Sequence, residues 1–190
     1  MVSMSTSNLL DVRQVHVLEL RSHNWMRIDL PGLEGVASRD ILTGKLAGGP
    51  IVGVVQQHGR FGDLVGTFWA AVFLISERLR EVMRAGDVTG WTTRPVMVEA
   101  TGTIGVQPLY LLCVHGRCGP VVVPSNSMGF ETGGVGHYLD PRKWDKSDIF
   151  LASNHDAILL SGRGADIIRG ARVSNVEVSP AGLEPLDIDE

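Results

Sequence analysis

Cysteine is scarce in this chain: Cys113 and Cys118 are the only two in 190 residues. Two thiols make no disulfide framework for a chain this long, so the expectation is reduced thiols in a cytoplasmic protein. Long apolar runs are missing as well. No stretch approaches the roughly 20 residues that cross a bilayer. Met1–Ser7 is polar, with neither the basic start nor the apolar centre of a signal peptide. Positive charge is not in excess either. A net charge of −4 and a pI near 5.8 leave no electrostatic footprint for nucleic acid. That mild acidity favours a basic partner, although so small a charge steers weakly at physiological salt. What remains is ordinary globular material, 44% hydrophobic and 20% charged.

Against these absences stands one positive signal. Residues 62–99 and 147–184 align without a gap at an offset of 85, with 8 identities over 38 positions. Unrelated segments of average composition would share roughly two or three. The shared residues include Asp63/Asp148, Leu74/Leu159, Ser76/Ser161, Arg78/Arg163, Arg84/Arg169, Val88/Val173 and Pro95/Pro180. Each copy has an acidic loop, an apolar tetrad (Val72–Ile75, Ala157–Leu160), a serine, a helical run and a second strand. No nucleophile, base or metal ligand set recurs, so the duplication reads as scaffold.

Local signals give an α+β fold: mixed β-sheets with two related strand–helix–strand units and a β-rich N-terminal segment. Val12–Leu20 and Trp25–Ile28 are expected strands, residues 30–50 a loop with at most one helical turn, and Ile51–Val55 a strand. In the first copy Ser76 is placed to cap a helix whose Leu79, Val82 and Met83 form one apolar stripe. Gly86 suits the left-handed position that ends it. In the second copy Ser161 caps, but Gly162 and Gly164 intrude at about 0.5–1 kcal/mol each, so a short helix is expected. Pro108–His115 reads as a strand. The organisation expected is a disordered 1–8 and a single compact domain over 9–190. Its halves, 9–115 and 137–184, are joined by a Gly/Pro-rich loop at 116–136.

Several groupings could carry chemistry. Cys113, His115 and Cys118 place three candidate zinc ligands within six residues, but no second cysteine pair completes a tetrahedral set. Asn154-His155-Asp156 with Ser161 suggests a triad, yet neither Ser76 nor Ser161 lies in a G-x-S-x-G elbow, and both sit where caps belong. Gly133-Gly134-Val135-Gly136 lacks the lysine of a phosphate-binding loop. No catalytic set and no cofactor is assigned. The most distinctive stretch runs from Tyr138 to Leu151. There Asp140-Pro141 starts a turn, Trp144 offers a large amphipathic ring, and Asp148 can satisfy backbone donors ahead of an apolar strand.

At this stretch the chain resembles bacterial polymorphic-toxin immunity proteins of the "immunity protein eleven" group. The resemblance lies in the turn Trp144-Asp145-Lys146-Ser147-Asp148-Ile149-Phe150, the strand Ala157–Leu160, the Ser-led helix Ser161–Ala171 and the closing Arg172–Val178. Trp144, Asp145, Ser147, Asp148 and Phe150 form its structural motif. The resemblance implies a non-enzymatic cytoplasmic protein that neutralises a cognate protein toxin by covering its active site. Such an interface buries about 800 Å² per partner around a few anchors. The candidate contacts are Met128, Phe130, Glu131, His137, Tyr138 and Trp144. Three other readings stand beside it. One is a small enzyme using His137, His155 or Asp156, another a zinc module using Cys113, His115 and Cys118, and the third a homodimeric structural or regulatory subunit.

Overall fold

The computed structural model describes residues 9–21, 26–57, 59–99, 108–122 and 137–186. Met128, Phe130 and Glu131 lie outside them, as do Met1–Asn8. A 3₁₀ turn at Val12–Gln14 leads into β1 (His16–Leu20), β2 (Arg27–Asp29), α1 (Ser38–Leu42), β3 (Ile51–Gln57) and β4 (Leu64–Gly66). Then come β5 (Phe73–Ser76), α2 (Glu77–Ala85), β6 (Trp91–Glu99), β7 (Leu109–Val114), β8 (Gly116–Cys118) and β9 (Val121–Val122). The chain continues through β10 (His137–Leu139), a 3₁₀ turn at Pro141–Lys143, β11 (Ile149–Ala152) and β12 (Ile158–Leu160). It closes with α3 (Gly162–Gly170), β13 (Val176–Pro180) and β14 (Leu183–Pro185). Among the described residues no helix is long and apolar enough to cross a membrane.

The strands form a closed six-stranded barrel, β2-β3-β6-β7-β5-β4, a five-stranded sheet, β13-β1-β12-β11-β8, and a three-stranded sheet, β14-β10-β9. Register shows that the duplication extends well beyond the segment visible in sequence. Leu64 faces Ile75 across β4–β5, and Ile149 faces Leu160 across β11–β12. Leu111 of β7 stands opposite Leu74 and Arg94. Val17 of β1 stands opposite Leu159 and Ser179, the counterparts of those two residues. The helper bonds agree: His115 donates its N–H to the Gly90 carbonyl, and Arg21 donates to the carbonyl of Asn175, the counterpart of Gly90.

β1 and β7 are therefore equivalent strands, and each is inserted into the other repeat. The first repeat runs from β1 to β6 and the second from β7 to β14, with their leading strands exchanged. The remaining strands also correspond. β2 runs parallel to β4 as β8 does to β11, and β3 parallel to β6 as β10 does to β14. β9 pairs antiparallel with β10 as β2 pairs with β3. Thus the second repeat traces the same ring of positions with two interruptions. Gly119-Pro120 splits β8 from β9 and Ala181-Gly182 splits β13 from β14, which divides the ring into two sheets.

Each ring has its own apolar filling. Ile28, Val65, Leu74, Val96 and Leu111 belong to the larger buried cluster, which also receives both helices through Leu79, Met83, Ala165 and Ile168. Leu139, Phe150, Leu159, Val121 and Leu183 fill the second cluster with Val12 and Val15 from the N-terminal segment. Complete burial of such side chains stabilises by about 1.5–3 kcal/mol each. β5 is buried at all four positions because it lies between barrel interior and helix layer.

Four expectations need correction. Residues 116–136 do not begin as loop, since 116–118 and 121–122 pair as β8 and β9. The division between repeats falls before β7, so 109–114 belongs to the second repeat by equivalence. The glycine-containing helix is not short: α3 has nine residues, as α2 has. Gly164 is there for contact, because a Cβ on it would stand 2.9 Å from the Asp148 carbonyl oxygen. Finally, Gly86 has a φ of −84°, and the left-handed residue after α2 is Asp87, at 48°.

Candidate functional site

The residues shared by both copies converge at two equivalent polar nodes. In the first, Ser76 donates its hydroxyl to Asp63 at 2.7 Å and accepts the Leu79 N–H, closing the α2 N-terminus. Asp63 also accepts the Ser174 N–H at 2.7 Å and the Ser174 hydroxyl at 2.8 Å, from the other repeat. Arg78 donates to Asp63 and to the carbonyls of Ala171 and Arg172. The second node repeats this bond by bond. Ser161 donates to Asp148 and caps Gly164, while Thr89 donates its N–H and hydroxyl to Asp148, each at 3.0 Å. Arg163 pairs with Asp148 and donates to the carbonyls of Gly86 and Asp87. Each carboxylate thus caps its own repeat's helix through serine and holds the chain that leaves the other repeat's helix. Burial alone pushes the Asp63 carboxyl up. Hydrogen bonds from Ser76 and Ser174 and the Arg78 charge overcome it and hold that group below the usual range.

Two equivalent grooves lie between the end of each helix and the strand after it. The first, about 570 Å³, is bordered by Arg80, Arg84, Asp87, Trp91 and Thr92. The second, about 500 Å³, has Arg21, Arg169 and Arg172 on its rim, with Val173, Val176 and Val178 along its apolar wall. Ile168 and Glu177 complete the second lining. Position by position, Asp87 is matched by Arg172, Trp91 by Val176 and Thr92 by Glu177. Arg84 and Arg169 keep their place, where a cation complements the helix C-terminus. Arg169 also donates to the Val178 carbonyl at 3.0 Å. Arg172 sits at φ 49°, the left-handed conformation that Asp87 shares. Aspartate tolerates that region, whereas for arginine it costs about 1–2 kcal/mol.

Among the described residues, those singled out in sequence are not gathered into one site. Trp144 is half-buried against Phe150, with ring centroids 6.1 Å apart, and its indole N–H is donated to the Ser147 carbonyl. Asp145 accepts the N–H groups of Arg117 and Ser147. The motif therefore works as an anchored turn, carrying Asp148 to its node. His137 is only 3% exposed, inside β10, while Tyr138 is half-buried beside the exposed Val122 of β9. His155 lies half-buried near Arg39, which donates to its carbonyl at 2.6 Å and pairs with Asp156. Its Nδ1 accepts the Ala157 N–H. Burial holds this imidazole below its usual range, with His137 and Arg39 acting the same way against Asp156.

Cys113 and Cys118 are separated rather than clustered. Cys113 belongs to the larger core and Cys118 to the second. Burial pushes their thiols up to about 11 and about 12 respectively. His115 is exposed and bonds to Thr92. Among the described residues no group of three or more His, Cys, Asp or Glu side chains could hold a metal ion. Sequence reasoning missed the cross-repeat role of Thr89 and Ser174, though the offset of 85 between them was a usable signal.

No protein-family model matches this chain, and no match was found among curated proteins.

Proposed function

We propose that this chain is a non-enzymatic binding protein, an immunity factor that neutralises a cognate bacterial toxin by covering its active site. One observation supports the non-enzymatic part. The repeated Asp, Ser and Arg residues are engaged in reciprocal bonds that fasten one repeat to the other. A catalytic carboxylate or serine needs a side reserved for substrate, and these groups are committed to caps and backbone N–H donors. The thiols point the same way, since burial holds them in the unreactive protonated form. The immunity assignment rests on the turn motif from Trp144 to Phe150 and the strand–helix–strand that follows it.

The test begins with affinity capture of the tagged chain's partner from its native host. The captured protein is then expressed in a laboratory bacterium with and without this chain. The expected result is a growth arrest relieved by co-expression, with a 1:1 complex on size-exclusion chromatography. Undiminished killing, or a captured partner without toxicity, would overturn the reading.

A further inference from the structure

The two grooves occupy equivalent positions in the two repeats, and their linings differ. At equivalent positions the first groove carries an acid and a tryptophan, Asp87 and Trp91, where the second carries Arg172 and Val176. The exchange replaces a half-buried tryptophan by a buried valine and reverses a charge. β13 is also the edge strand of its sheet. Its outward Val178 carbonyl is already taken by Arg169, so a ligand here would be read through side chains rather than by strand addition.

Arg169 is accounted for by that bond and by Asp166. Arg21 and Arg172 differ: neither side chain has a hydrogen bond or ion pair among the described residues. Arg21, Arg169 and Arg172 line the groove with one acidic residue, Glu177, in a chain whose overall charge is −4. Arginine in the left-handed region is an unusual choice, and it stands where the other copy has a residue suited to that conformation.

We propose that the groove between α3 and β13 binds an acidic segment of a protein partner, with Arg21 and Arg172 pairing with its carboxylates and the half-buried Val173 and Val178 receiving its interleaved apolar side chains. Guanidinium–carboxylate pairing suits the rim, and the aliphatic lining suits peptide better than a sugar–phosphate backbone. A volume of about 500 Å³ holds a few side chains. This inference rests on the binding reading above and names its surface.

The experiment uses the full chain and a fluorescein-labelled hexapeptide of alternating Asp and Leu, with an Asn-Leu peptide and inorganic phosphate as comparisons. The expected result is peptide-induced shifts in the amide resonances of Val173, Val176 and Val178. Binding should weaken several-fold between low and physiological salt. Two variants remove the charges of the groove, Arg172→Asp and Arg21→Gln, and each should weaken binding about tenfold, as loss of a charged hydrogen bond requires. Aspartate suits φ 49°, so loss of folding does not confound the first variant, and amide spectra verify this. Shifts mapping elsewhere, equal binding by Arg172→Asp, or phosphate competing as well as the Asp-Leu peptide would overturn the proposal. The two readings fail separately. If Arg172→Asp still captures and neutralises the toxin with unchanged affinity, the groove assignment falls while the immunity reading stands. If the peptide binds as described but no toxin is relieved, the immunity reading falls alone.

Discussion

Replacing Asp63 by asparagine tests whether the nodes hold the repeats together. The amide keeps one acceptor for Ser76 but turns an NH₂ toward the Ser174 N–H and Arg78, which met Oδ2 in the native node. Hydrogen bonds to a charged acceptor are worth about 1.5–3 kcal/mol each. Arg78 is more than half exposed, so its share is at most about 1 kcal/mol. Leaving the Ser174 N–H without its acceptor costs a further 1–3 kcal/mol or so. Together these place the loss at about 3–5 kcal/mol, a large part of the roughly 5–15 kcal/mol that stabilises a domain. With a urea slope of about 2–3 kcal/mol per molar, the midpoint should fall by about 1–2 M.

Urea unfolding followed by tryptophan fluorescence and far-UV circular dichroism reads this directly. A double-mutant cycle with Ser174→Ala should show coupling of at least about 1 kcal/mol across the repeats. The sign with pH also follows. Asp63 is held below its unfolded pKa of about 3.9, so its contribution is complete above that value and fades as pH falls through the folded pKa. The gap between wild type and Asp63→Asn should therefore narrow from pH 5 toward pH 2. A loss under 1 kcal/mol, or additive effects of the two substitutions, would refute the reasoning.

Other predictions address the exchange, the thiols and the strand register. A protease site introduced into 100–107 and cleaved should leave both fragments co-eluting until they unfold together, because β1 and β7 each lie in the other repeat; separable folded fragments would disprove the exchange. Cys113 and Cys118 should resist a thiol reagent at pH 8 in the folded chain and react fully in denaturant, and rapid labelling of the native protein would contradict their burial. Glu19 and Glu177 are exposed and directly opposite across β1–β13, so Glu19→Gln, which keeps an acceptor for the Ser179 hydroxyl, should stabilise by about 0.2–0.5 kcal/mol in thermal melts. A decrease would question that register.

Much of the scaffold was legible because local signals and tertiary structure agree here. Ser76 and Ser161 cap their helices as expected, and Leu79 with Met83 forms the buried stripe of α2. β3, β5 and β7 fall within a residue or two of the apolar runs that announced them. The strand exchange was not legible. β1 and β7 share almost no identities, so their equivalence appears only in which strands flank them. Gly164 misled for a related reason: its lack of a side chain costs helix propensity locally but admits Asp148 to close contact. At the candidate site, sequence marked Trp144 and Asp148 but not their use, since an anchoring turn and a contact surface favour the same residue types. The grooves went unseen because the offset of 85 pairs Asp87 with Arg172 and Trp91 with Val176 but does not show that these positions line a groove.

The exchanged strands also bear on how such a chain could arise. A molecule with one repeat would have a barrel missing its middle member and a leading strand with nowhere of its own to go. Two such molecules could complete each other only by a mutual handshake, each working half compelled to be identical to its mate. Joining the two genes end to end makes the handshake internal. Each groove is then free to change without forcing the same change on its twin.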